Sequence, residues 1–222
     1  NAQSRLFEES LRKLNLPYKI YGGLSFYQRK EIKDLLSYFR MAVNPNDEEA
    51  IKRTINYPKR GIGATTVSKL QEAASSTGQS IWNIVCGLNE RPYGLNAGTI
   101  SKLMKFATLV NGFAMKIDHE SAFDLASRVS SEAGIIKELY NDRSPEGVSR
   151  HENIQELLNA IQDFTQIALE EGRENKLANY LEDVALLTDH DNEKDEDRNK
   201  VTMMTIHSSK GLEFPYLYVV GM

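Results

Sequence analysis

The sequence predicts a mainly helical protein, an all-helical segment bracketed by α/β pieces, and three observations carry that prediction. Helical periodicity runs almost unbroken from Asn46 to about Leu187, strand-like runs occur only near the two ends, and a charge run precedes the last of them. Ser4 to Leu14 spaces Leu6, Leu11 and Leu14 among charges as an amphipathic helix does. LPYKIYGG reads as a short strand over Tyr18 to Tyr21 that ends in glycines. Lys30 to Val43 puts Ile32, Leu35, Leu36, Phe39 and Val43 on one helical face, and NPND stops that helix near Asn44 and starts another. Farther on, Ile154, Leu157, Leu158, Ile161, Phe164 and Ala168 recur at three- and four-residue steps. Thr188 to Lys200, TDHDNEKDEDRNK, is too acidic and too poor in apolar residues for a core and reads as a solvated linker. After it, strands are predicted over Val201 to Thr205 and Leu217 to Val220, with SSKGLEF as a turn or short helix between them. Helices enclosed by α/β ends that meet in space are the pattern of a domain inserted into another domain.

Composition narrows the function classes. With 222 residues and 41% hydrophobic content the chain is large enough for one sizeable core or two small ones. No apolar run approaches the roughly 20 residues of a membrane span, and Asn1 opens no signal-peptide pattern, so a soluble, cytoplasmic protein is expected. A single cysteine, Cys86, excludes an internal disulfide and is expected to be a buried small hydrophobe within IWNIVCGL. The net charge of −4 argues against nucleic acid coating the whole surface but leaves room for local basic patches.

Two motifs can carry chemistry. Tyr57-Pro58-Lys59-Arg60-Gly61-Ile62-Gly63-Ala64-Thr65-Thr66 lies between helical patterns over Asp47 to Ile55 and Thr65 to Ala74. Its glycines let a backbone approach a phosphate closely, the following helix presents unpaired N–H groups, and Lys59, Arg60 and Lys69 add charge. An ordinary helix–helix turn, whose glycines only satisfy left-handed angles, is the alternative, and the basic pair favours phosphate. Thr205-Ile206-His207-Ser208-Ser209-Lys210-Gly211-Leu212-Glu213-Phe214 follows a strand and gathers donors, a cation and an acceptor where α/β proteins bind ligands, or else is a plain strand-to-helix connection.

Other readings fail. Asp189, Asp191, Glu193 and Asp195 alternate as calcium ligands do, but Lys194 and Lys200 occupy the positions that need glycine and the bidentate glutamate. His119, His151 and His190 have no partners at metal-ligand spacing, so no metal site is assigned. No G-x-x-x-x-G-K-[ST] occurs, so ATP hydrolysis by this chain alone is not expected.

Taken together, NAQSRLFEE, GGLSFYQRKEIKD, YPKRGIGATT and TIHSSKGLEF resemble, in order, motifs of the UvrD/PcrA/Rep-like superfamily 1 helicases and span nearly the whole chain. The resemblance implies that residues 1–45 and 198–222 are parts of a RecA-like motor domain, 2A, and that 46–197 form the helical insertion 2B. It implies a fragment of an ATP-dependent 3′–5′ DNA helicase, with ATP and Mg2+ used by the parent protein and none expected on the fragment. Carried over, Glu213, with Lys210 and Gly211, would face ATP, while Asn1, Thr205 and His207 would meet DNA as a single strand. Lys59, Arg60, Gly61, Ile62, Gly63, Thr65, Thr66 and Lys69 would face duplex phosphates, whereas Arg29, Glu31 and Lys33 look structural. DNA is the implied partner; a regulatory protein-interaction module is the competing reading, because the insertion also serves partners in this family.

Overall fold

The structure, a computed structural model, describes residues 4–21, 24–189 and 200–220. It is mainly helical. In chain order the elements are α1 (Ser4–Lys13), β1 (Tyr18–Ile20), a 3-10 turn (Phe26–Gln28), α2 (Lys30–Val43), α3 (Glu48–Thr54), α4 (Ala64–Thr77) and α5 (Ile81–Cys86). There follow α6 (Ala97–Ala114), α7 (Ala122–Glu132), α8 (Ile135–Asn141), α9 (Pro145–Glu170), α10 (Leu177–Asp189) and β2 (Val201–Met203). The acidic run read as a linker begins inside α10, and its residues 190–199 lie outside the described residues.

Local chemistry starts five of these helices. Asp47, Ser80, Asn96, Ser121 and Ser144 each accept a backbone N–H of the first turn, of Ala50, Asn83, Thr99, Asp124 and Gly147 respectively. The helices pack around α2, which contacts α3, α6, α7, α9 and α10. Ile32, Leu35, Tyr38 and Phe39 of α2 are fully buried, in one core with Leu103, Val110, Leu125 and Leu157. Burying side chains of this size contributes about 1.5–3 kcal/mol each.

Cys86 departs from expectation: it is exposed, because it ends α5 on the face away from Ile81, Ile84 and Val85, which are buried.

Chain ends remote in sequence do meet. β1 and β2 pair in parallel, Tyr18 opposite Val201 and Ile20 opposite Met203, and Val201 N–H donates to Pro17 O at 2.9 Å. The strand expected over Leu217 to Val220 is not formed, and Leu217 and Tyr218 are 68% and 87% exposed. Its β-branched and aromatic residues favour extended backbone, but a strand needs a neighbour's hydrogen bonds, and among the described residues only β1 and β2 are paired.

Polar side chains tie α1, α2 and α9 together. Arg5 of α1, 4% exposed, donates to Glu156 of α9 at 2.8 Å and to Glu9 at 2.9 Å. Arg29 donates to Asn153 of α9 at 2.6 Å, and Asn153 donates to Glu31 at 2.6 Å. Glu9 and Glu156 neutralise the buried Arg5, and the uncharged Asn153 amide links Arg29 to Glu31, so both tie α2 and the turn before it to α9. Lys33 is exposed.

Candidate nucleic-acid interface

The glycine hairpin of residues 57–66 connects α3 to α4 and is held from inside. Asn56 Oδ1 accepts the N–H groups of Arg60 at 3.0 Å and Ile62 at 2.9 Å, and the Ile62 side chain, 1% exposed, anchors the loop in the core. Gly61 takes φ +69°, a left-handed conformation that a side chain would strain, and the Tyr57–Pro58 peptide is cis. Tyr38 donates its hydroxyl to the Thr54 and Tyr57 carbonyls, and burial pushes its pKa up to about 12, so it remains a donor throughout the physiological range.

Unlike the capped helices, α4 begins at Gly63, which has no side chain to accept its first N–H groups. A Cβ built on Gly63 would meet nothing within 4 Å, so the approach to this helix end is open. Gly61, Gly63 and Thr65 are exposed, Thr66 is half-buried, and Lys59 is exposed beside them. Backbone N–H groups, the positive end of the helix dipole and a nearby ammonium are what a phosphate oxygen requires.

Two cations do not sit where their charge alone suggested. Arg60 turns inward: its Nη1 reaches the carbonyl oxygens of Thr54, Tyr57 and Pro58 at 3.0, 2.8 and 3.1 Å, and its Nη2 reaches that of Ala133 at 3.3 Å. The guanidinium also lies 5.3 Å from the Phe106 ring centre and 5.7 Å from that of Tyr38. It therefore ties the hairpin to α6 and to the turn before α8, in correction of the phosphate-facing role expected for it. Lys69 donates to Gly94 O at 2.8 Å, so its ammonium is engaged with the protein across the loop before α6.

The second motif follows β2 as an exposed turn. Thr205 Oγ1 accepts the Ser208 N–H at 3.1 Å and lies 2.9 Å from Ser208 Oγ, while Ser209 N–H donates to Thr205 O at 3.1 Å. Gly211 takes φ +82° and closes the turn, leaving His207, Lys210 and Glu213 near or at the surface. Their donors and carboxylate can address a sugar hydroxyl or a phosphate, but no cradle surrounds them among the described residues. Asn1 lies outside the described residues.

Asn56 and Lys102 were missed by reasoning from sequence. Lys102 of α6 donates to Gly61 O at 3.2 Å, and its signal is a repeat of the hairpin sequence at Gly94–Leu103.

The fold is thus a helical body closed by a two-stranded parallel sheet, with an uncapped glycine hairpin on its surface. The UvrD-like helicase C-terminal domain model matches residues 1–222, and the chain belongs to that family. It is 38% identical over 223 residues to the ATP-dependent DNA helicase PcrA of Staphylococcus aureus and 36% identical over 222 residues to that of Staphylococcus epidermidis. Each alignment covers 100% of this chain and 30% of the relative, so the chain spans less than a third of the length of these curated relatives.

Proposed function

We propose that this chain is a section of an ATP-dependent 3′–5′ DNA helicase and that its own contribution is to hold duplex DNA by the hairpin at Lys59–Thr66. One observation carries the reading: α4 starts at an uncapped, unobstructed glycine, on a loop held in place by Asn56 at the Arg60 and Ile62 N–H groups and by Lys102 at the Gly61 carbonyl. The relatives named ATP-dependent DNA helicase support it, and so does the exposure of Gly61 and Gly63. Contacts of this kind read phosphates rather than bases, so binding is independent of sequence. Lys59, Gly61, Gly63, Thr65 and Thr66 face the duplex in this proposal, with Ile62 anchoring the loop.

ATP and Mg2+ belong to the parent helicase in the same proposal. Glu213 would accept from the nucleotide sugar, with Lys210 and Gly211 beside it, and Thr205 and His207 would touch the single-strand backbone. Residues 1–45 and 198–222 are assigned to motor domain 2A and 46–197 to insertion 2B, with α2 as the connecting helix packed into the insertion's core.

Fluorescence anisotropy on labelled duplex at several salt concentrations tests the hairpin. The chain should bind with micromolar or weaker affinity, in the roughly 10⁻⁴–10⁻⁶ M range of non-specific contacts. Lys59→Ala should flatten the logarithmic salt dependence by about one unit. Gly63→Val should weaken binding on every sequence and leave that slope unchanged, and it fits the open space at Gly63. Gly61→Val is the poorer probe, since φ +69° and Lys102 Nζ at 2.8 Å from the new Cβ would distort the turn itself. If both variants bind as the parent does, the hairpin is only a structural turn. The shallow groove lined by Leu88, Pro92, Ile100 and Met104 then favours the protein-interaction reading, whose binding would depend little on salt.

A further inference from the structure

A ten-residue stretch occurs twice in this chain. Gly61-Ile62-Gly63-Ala64-Thr65-Thr66-Val67-Ser68-Lys69-Leu70 returns as Gly94-Leu95-Asn96-Ala97-Gly98-Thr99-Ile100-Ser101-Lys102-Leu103, with glycine, alanine, threonine, serine, lysine and leucine in the same places. The backbone repeats with it. Each copy follows a short helix, α3 or α5, turns at a glycine with φ +69° or +70°, and enters a long helix, α4 or α6. Leu70 and Leu103 are both fully buried.

Each copy also reaches into the other through the same residue. Lys69 of the first donates to Gly94 O of the second at 2.8 Å, and Lys102 of the second donates to Gly61 O of the first at 3.2 Å. Reciprocal contact between equivalent residues is the signature of an approximate two-fold relation, here within one chain. The copies differ at the helix start: Asn96 caps α6 through the Thr99 N–H, whereas Gly63 leaves α4 open.

The contact from Lys102 falls on the peptide that sets the aim of the first hairpin. The Gly61–Ile62 peptide is held at both ends, its carbonyl by Lys102 and its N–H by Asn56. Glycine in a left-handed turn is free to rotate that plane, and rotation would redirect the N–H groups that follow it. We infer that Lys102 is a positioning residue of the duplex grip: its ammonium fixes the Gly61 carbonyl so that the hairpin meets the phosphate already formed. The second copy of the repeat is the platform from which it does so. This inference rests on the duplex-binding reading given under Proposed function. Preorganisation raises affinity by removing an ordering cost that binding would otherwise meet.

Two readouts on Lys102→Met and Lys102→Arg in the 222-residue chain test the inference. Amide hydrogen exchange without DNA should quicken across residues 59–66 in the methionine variant and stay near the parent rate in the arginine variant, which keeps a donor. Lys69→Met is the control, since the same charge is lost but exchange should quicken at residues 93–96 instead. Duplex anisotropy should show Lys102→Met binding about three- to tenfold more weakly at every salt concentration, with the salt slope unchanged, and Lys102→Arg restoring affinity. A slope lowered by about one unit would mean that Lys102 meets a phosphate itself, and overturns the positioning role. Unchanged exchange at 59–66 overturns it too. If the parent chain does not bind duplex at all, the duplex reading falls, while exchange still decides whether Lys102 holds the hairpin.

Discussion

Replacing Arg60 by methionine separates a structural arginine from a phosphate contact. Methionine keeps an unbranched stem against Phe106 and Tyr38 but removes the guanidinium that reaches the Thr54, Tyr57, Pro58 and Ala133 carbonyls. Thr54 and Tyr57 retain the Tyr38 hydroxyl, so the loss falls on Pro58 and Ala133. Hydrogen bonds from a charged donor contribute roughly 1.5–3 kcal/mol each, and the ring contacts add about 0.5–1 kcal/mol at a partly exposed site. Because Arg60 is only half-buried, the low end applies, and the two bonds and the ring contacts sum to about 3.5 kcal/mol. For a chain of this size each kcal/mol shifts the melting temperature by roughly 2–4 °C, so circular dichroism melts should show a fall of about 7–14 °C. Lys59→Ala, at an exposed position, should stay within about 0.5 kcal/mol of the parent. The salt slope of duplex binding should drop for Lys59→Ala and hold for Arg60→Met. An Arg60→Met chain that melts with the parent but loses about one unit of salt slope would refute the inward assignment of this guanidinium.

Two further outcomes are expected. Asn153→Ala should cost about 2–3 kcal/mol in urea unfolding, because Asn153 is 5% exposed and joins Arg29 to Glu31; a loss under about 0.5 kcal/mol would show that this bridge does not tie α9 to α2. Glu120 is held below the usual glutamate range by hydrogen bonds from Arg128, and also from Lys116. A lowered folded pKa gives stability that is present above the unfolded value and lost as pH falls through the folded one. Glu120→Gln should therefore lower the urea midpoint near pH 7 and converge with the parent as pH falls below the usual glutamate range, whereas a pH-independent gap would exclude this origin.

Sequence patterns alone placed the helices well where one face is apolar and a cap or proline marks the end. Lys30 to Val43 forms a helix with those bounds, and Asp47 caps the next, since both signals are local to a few residues. The glycine hairpin was equally legible, because a positive φ at Gly61 is a demand that sequence states directly. Side-chain direction was not. Arg60 and Lys59 are neighbours of like charge, and only the carbonyls converging from α3, the loop and the α7–α8 turn send one inward while the other remains in solvent. Nor could periodicity tell that α2 sits at the centre of the helical body, which depends on which faces meet, or that Leu217 to Val220 would form no strand. Helical hydrogen bonds close within the segment that makes them, so local sequence determines them. Strand pairing and the aim of a long charged side chain depend on groups remote in the chain, and these the tertiary structure alone decides.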